Sequence, residues 1–341
     1  YRAARLEEAL SLLSEQGHQA RIVAGATDLI PEIEKGAQEK LTTLIDISCI
    51  KDLSNITLQD DNQIHIGPLV THNDCVASNL IRKYAQPLAE ASWLVGSPQI
   101  RNRGTIAGNL VTASPANDTI APLMAMDAKV RLRSQNGDRI IPMVDFYTGV
   151  RQTIMQSDEM LLDIYFSPLT ENHRGLFIKN TLRKAQAISV INITILLEMD
   201  GRYIRTAAIT LGAVAPTVIR AEKAEQSLIG KPLDLIHIQK AANLAAESSH
   251  PIDDIRSSAA YRRTIVQRLI SRGLSALTEN KKLIELPEKP VFLRTPFDLP
   301  GIERGYFAEK QPIMATINGK QVSFKTGHNK TLLHLLRAEG H

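Results

Sequence analysis

Apolar and polar positions alternate along this chain with two periods, and the periods lay out its elements. Leu6, Ala9, Leu10 and Leu13 keep helical spacing over residues 3–16, and Gly17 stands at the stop. Residues 21–24 read as a short buried strand running into Gly25-Ala26-Thr27-Asp28-Leu29. Thr27 or Asp28 is placed to cap a helix that Gly36 ends. Strands are predicted at 41–47, 52–58 and 63–67, and Thr71-His72-Asn73-Asp74 reads as a capping-box helix start. A helix is predicted at 86–95, a hairpin at 129–133 and 139–143 around Asn136-Gly137, and a strand at 160–166. Pro168 opens a turn-rich stretch that marks a boundary.

Beyond it come strands at 175–181, 187–199 and 203–213, the last two joined at Asp200-Gly201, then helices at 220–229, 236–247 and 259–277. Strands followed by helices predict an α+β domain. Residues 281–310 carry Pro287, Pro290, Pro296 and Pro300 with little periodicity and read as a linker. Residues 313–325 then read as a hairpin turning at Asn318-Gly319, and Asn329-Lys330-Thr331 caps a leucine-rich helix. A hairpin and one helix bury too little to stand alone, so this last piece needs more chain or a partner. The domains expected are 1–168, 169–280, a linker over 281–310, and 311–341.

Composition narrows the class. The 341 residues carry a formal charge of +4 with scattered arginines, which argues against a nucleic-acid surface. No apolar run approaches the roughly 20 residues that cross a bilayer, and no charged-then-apolar leader opens the chain. Tyr1 stands where a start methionine is expected, which implies residues upstream. The two cysteines, Cys49 and Cys75, form no ligand set and predict buried free thiols in a cytoplasmic protein.

The stretch with chemical content is 96–118, which holds Gly96, Gly104 and Gly108 beside Arg101, Arg103, Thr105 and Ser114. It ends in Asn117-Asp118-Thr119, a helix N-cap pattern. Glycine, free backbone N–H groups and a following helix make a phosphate cradle or an ordinary irregular loop. Residues 24–29 form a second such joint, and two cradles suit one pyrophosphate gripped from both sides. The single-loop G-x-G-x-x-G, the P-loop, H-E-x-x-H and G-x-S-x-G patterns do not occur in the chain. No catalytic acid, base or nucleophile, and no metal ligand, is assigned.

The ordered strings Val23-Ala-Gly-Ala-Thr-Asp-Leu29, Ile100-Arg-Asn-Arg-Gly-Thr-Ile-Ala-Gly-Asn-Leu110 and Ala113-Ser-Pro-Ala-Asn-Asp118 resemble the FAD-binding subunit of the molybdenum hydroxylases. This is the xanthine dehydrogenase and carbon monoxide dehydrogenase family. The resemblance runs from about residue 3 to 280 and includes Asp253-Asp-Ile-Arg-Ser-Ser-Ala-Ala-Tyr-Arg-Arg263. It implies an α+β fold: a two-subdomain FAD-binding fold of the PCMH/vanillyl-alcohol-oxidase type, then an α+β flavoprotein C-terminal domain. Residues 311–341 are similar to the opening of a [2Fe–2S] ferredoxin-like β-grasp domain, without any of its cysteines.

What the resemblance implies can be placed residue by residue. Ile22, Val23, Ala24, Gly25, Ala26, Thr27 and Asp28 are expected on the flavin pyrophosphate, with Thr105, Gly108, Asn109 and Thr112 from the second loop. Asp118 is expected to accept from a flavin-chain hydroxyl, to cap a helix, or both. Leu161 and Lys179 match positions near the isoalloxazine ring, where a lysine favours reduced flavin or is simply an exposed strand residue. Ala26 and Ala107 replace glycines common in the family, and residues 183–188 lack its usual acidic residue. The function implied is electron transfer from [2Fe–2S] clusters to FAD and on to an acceptor such as NAD. The molybdenum cofactor would sit on a large partner subunit. The rival readings are a free-standing flavin oxidase or reductase and a scaffold that binds no cofactor.

Overall fold

The computed structural model describes residues 1–293, 312–325 and 332–338. The first periodic stretch folds as Leu6–Gln16 (α1), with Ala9, Leu10 and Leu13 buried. They pack on a parallel pair, Ala20–Val23 (β1) and Thr43–Asp46 (β2), joined through Leu29–Glu34 (α2). Glycine ends α1 as expected: Gly17 takes a φ of 52°. Asp28 occupies the N-cap of α2 without a side-chain capping bond, so neither expected cap forms there.

The second layer is an antiparallel sheet whose register is set by alternate apolar residues. Its strands are Ile56–Leu58 (β3), Ile64–Ile66 (β4), Lys129–Ser134 (β5) and Gly137–Pro142 (β6). After a small hairpin, Tyr147–Gly149 (β7) and Gln152–Thr153 (β8), the central Met160–Phe166 (β9) completes the order β3-β4-β9-β5-β6. Short helices fill the connections: His72–Ala77 (α3), Asn79–Tyr84 (α4), Gln86–Trp93 (α5), Pro98–Arg101 (α6), Ile106–Thr112 (α7), Ile120–Ala125 (α8) and Met143–Phe146 (α9). The capping box expected at Thr71 is complete, with Thr71 and Asp74 bonding each other's backbone N–H.

The third layer is a second antiparallel sheet, His173–Asn180 (β10), Ile191–Asp200 (β11), Tyr203–Gly212 (β12) and Ile219–Arg220 (β13). Glu222–Leu228 (α10), Leu235–Glu247 (α11) and Ala259–Thr278 (α12) follow it. Strand β11 is buried on both faces. Ile191, Ile193, Ile195 and Leu197 share a core with the helices, while Leu196 joins Phe177, Leu88 and Phe146 in the core of the second layer. A strand with period 2 and two buried faces reads as a continuous apolar run, as Ile195, Leu196 and Leu197 do. The second and third layers thus share part of a core, and residues 1–293 form one unit.

Two further expectations change. The start of the proposed linker is tied down: Arg82 donates to the carbonyl of Pro287, and Asn73 and Asn102 donate to that of Val291. Ile284 and Leu286 pack against the second-layer core. Cys75 is buried, but Cys49 is exposed. The rest of the linker, 294–310, lies outside the described residues. In the second unit, Ile313–Ile317 (β14) and Lys320–Phe324 (β15) pair as the expected hairpin, and Leu332–Ala338 (α13) is helical. Among the described residues no helix is long and apolar enough to cross a membrane.

Candidate functional site

Gly25 lies at the C-terminal end of β1, and its backbone meets the second glycine loop directly. A Cβ built there would fall 1.9 Å from the carbonyl oxygen of Arg103 and 3.0 Å from Gly104 Cα. Only glycine permits that approach. Thr105 then caps α7, accepting from the N–H of Gly108 at 2.9 Å. What the sequence read as one irregular stretch contains two short helices, α6 and α7.

Between these loops lies a cavity of about 950 Å³. Residues 22–28, Thr105, Gly108, Asn109, Thr112, Asp118, Leu161 and Lys179 all line it, so every predicted site residue is gathered in one place. Gly25, Ala26, Thr27 and Asp28 turn out of β1 with backbone N–H groups that meet no acceptor among the described residues. Four such donors on one wall are groups that an acceptor-rich ligand can satisfy. The opposite wall is Asn109, whose side-chain oxygen accepts from Thr119 and whose carbonyl accepts from Asn117.

Asp118 is not a helix cap. Thr119 holds the N-cap position of α8, without a side-chain bond. The Asp118 carboxylate points instead toward the third layer. Oδ2 lies 2.5 Å from Lys179 Nζ, and Oδ1 accepts from Ser189 Oγ at 2.6 Å and from Asn192 Nδ2 at 3.3 Å. A carboxylate offers about four acceptor positions, so three donors leave one for a ligand. Nor is Lys179 an exposed strand residue. Its side chain is 5% exposed, and Nζ also donates to the carbonyl of Leu94. Its charge is matched by Asp118 and does not stand free to favour a reduced ring.

Sequence reasoning missed two parts of the wall. His72 opens α3, and its backbone N–H bonds Gly104 O at 3.1 Å. The signal was the Thr71 capping box, which fixes where that helix begins. Glu32 and Arg151 pair at 2.6 Å across the rim. Gln186, Ala187 and Ile188, from the stretch 183–188 that the sequence singles out, close another side. The segment is anchored by Arg256, which donates to the carbonyl of Ser189. Among the described residues no cluster of His, Cys, Asp and Glu is placed to hold a metal.

Comparison with known proteins agrees with this geometry. Residues 1–168 match the family model described as FAD binding domain in molybdopterin dehydrogenase, and 177–277 match CO dehydrogenase flavoprotein C-terminal domain. The chain is 32% identical over 272 residues to a nicotinate dehydrogenase FAD-subunit of Eubacterium barkeri, covering 78% of this chain and 91% of that one. It is 28% identical over 276 residues to a putative xanthine dehydrogenase FAD-binding subunit of Escherichia coli K12, covering 81% and 94%. Among solved structures it is similar to a carbon monoxide dehydrogenase from Hydrogenophaga pseudoflava that lacks the Mo-pyranopterin moiety of its molybdenum cofactor. The TM-score is 0.78 at 29% identity, over 82% of this chain and 97% of that one. The chain thus belongs to the FAD-binding subunits of the molybdenum hydroxylases, the family of the xanthine and carbon monoxide dehydrogenases, and is an oxidoreductase component with their two-subdomain FAD-binding fold.

Proposed function

We propose that the 950 Å³ cavity holds FAD and that the chain relays electrons within a larger molybdenum hydroxylase. The observation that carries this is the row of four unpartnered N–H groups at 25–28, set against a loop that only Gly25 lets so close. A pyrophosphate is the group such a row fits, because it presents acceptor oxygens and no donors. On this reading residues 22–28 take the pyrophosphate from one side, and Thr105, Gly108, Asn109 and Thr112 take it from the other. Asp118 uses its last acceptor position on a hydroxyl of the flavin chain. Leu161 and Lys179 stand at the ring end, with Lys179 orienting Asp118.

When bound, FAD supplies redox chemistry that accepts electrons from one-electron carriers and returns them to an acceptor such as NAD. The chain's own residues bind, orient and exclude water, and none is required as an acid or base. The electrons would come from [2Fe–2S] clusters, and the substrate would be oxidised at a molybdenum cofactor on a large partner subunit. Residues 311–341 read as the opening of a ferredoxin-like domain whose ligands lie elsewhere, because the chain carries no cysteine beyond Cys75.

The purified full chain should show flavin absorbance. FAD added to stripped protein should stabilise it by about 2.7 kcal/mol at a hundredfold excess over Kd. A chain that purifies colourless, and whose melting temperature FAD leaves unmoved, would overturn the proposal.

A further inference from the structure

His72 sits where the two glycine loops meet, and nothing in the sequence reading gave it a role. A Cβ built on Gly104 would fall 3.3 Å from His72 Cδ2 and 3.3 Å from Thr27 Oγ1, so the imidazole, the hydroxyl and the glycine converge on one point of the cavity floor. The residue is 2% exposed. Neither ring nitrogen has a hydrogen-bond partner among the described residues, and Nδ1 is sealed within the protein. A buried imidazole without partners is costly, so such a group calls for explanation.

Its surroundings fix its charge state. Burial, with the positive charges of Arg101 and Lys179, drives its basicity down to about 3, so the ring is neutral. A neutral imidazole carries one proton. Sealed Nδ1 has no acceptor to receive it, so the proton rests at least cost on Nε2, the nitrogen left toward the cavity. Arg101 is itself unusual. It is 6% exposed, donates to the carbonyl of Val95 and lies 4.3 Å over the Trp93 ring, yet pairs with no carboxylate among the described residues. A buried cation without a counterion creates a positive potential that favours an anion nearby.

We propose that His72 is a cofactor-binding residue, its Nε2–H donating to a pyrophosphate oxygen at the junction of the loops, with Arg101 behind it as the uncompensated positive charge. The inference rests on the FAD reading above. It makes His72 the side-chain complement to the backbone row at 25–28, and it explains how a neutral ring can be buried beside two cations. The phosphate oxygen supplies the acceptor the protein lacks.

The test compares FAD affinity of the stripped wild-type chain with that of His72→Phe, which keeps a ring of similar size without a donor, and His72→Gln, which keeps an N–H at similar reach. A hydrogen bond to a charged acceptor predicts a loss of about tenfold to a hundredfold in Phe, largely recovered in Gln. In the wild-type chain labelled with ¹⁵N-histidine, FAD should move the His72 Nε2 resonance. This readout decides the matter if the Phe variant does not fold. Unchanged FAD affinity in Phe, a Gln variant as weak as Phe, or an Nε2 resonance indifferent to FAD overturns the role of His72 alone. A wild-type chain that binds no FAD overturns the reading beneath it.

Discussion

Two alanines, Ala26 and Ala107, line the glycine loops, and at the residue scale they behave differently. Ala26 has a φ of 61°, in the left-handed region where a Cβ crowds the following carbonyl. Ala107 lies inside α7, 5% exposed, and belongs to the apolar core as well as to the cavity wall. The first is therefore strained and the second is seated. Ala26→Gly should raise the stability of the stripped chain by about 1 kcal/mol, because the relief of strain exceeds the added freedom of the unfolded chain. In a melt this is about 2 °C for a unit of this size. An unchanged melting temperature would show that the loop bears the methyl without cost. The strain could not be read from the sequence, since alanine is at ease in most turns and only φ reveals the problem. Lys179 and Asp118 illustrate the same limit. Each is an ordinary residue in its own segment, and their pairing exists only because β10 passes behind the second loop.

Single buried groups also join whole elements, and Glu90 joins α5 to β10. Its carboxylate accepts from the N–H of Phe177 at 2.8 Å and from Gln86 Nε2 at 2.8 Å, with 1% of the residue exposed. Burial outweighs these bonds and pushes its pKa up from 4.5 to about 7. The sign follows from linkage. A carboxyl raised in the folded state is charged more easily once unfolded, so its contribution is fully present below about 4.5 and is lost as pH rises through about 7. The interval converts to about 3 kcal/mol. Glu90→Gln removes the titration, so its melting temperature relative to wild type should climb between pH 5 and pH 8. A difference that stays flat across that range would mean the carboxyl remains at its ordinary value. At this scale the sequence was most legible. The strand at 160–166 and the helix at 236–247 carry long periodic runs, and they form within a residue of the reading. Helices α6 and α7 went unseen because each has seven residues or fewer, while α8 was announced by the N-cap pattern at 117–119. Two turns cannot establish a 3.6-residue period, and glycine, serine and proline in the connections point toward loop.

Over the whole unit of residues 1–293, the cavity wall does not respect the boundary read at residue 168. Lys179 and residues 186–188 come from the third layer, and they are held from behind by a chain of polar contacts. Arg262, 1% exposed, lies 2.6 Å from Asp254 through Nη2, and Arg256 also meets Asp254 at 2.6 Å. Arg256 then donates to the carbonyl of Ser189, whose hydroxyl donates to Asp118. The motif at 253–263, at first only a mark of resemblance, thus braces the site from the start of α12. The two guanidinium groups hold Asp254 well below the usual carboxylate range, so it stays ionised at any pH where the protein is handled. Asp254→Asn removes the one carboxylate that both guanidinium groups share and leaves Arg262 buried without a counterion among the described residues. That change should cost about 2–3 kcal/mol in urea denaturation, below the full penalty for a buried pair because Asp254 is itself 20% exposed. Arg256→Met should cost less, since Arg262 keeps its partner and only the anchor on Ser189 is lost. Its effect belongs on the ligand instead: FAD should dissociate faster from a chain whose stability has changed little. If Arg256→Met and Asp254→Asn lowered stability equally and left FAD release untouched, the contacts would be scaffolding for α12 alone, and the coupling of the third layer to the cavity would run through Lys179.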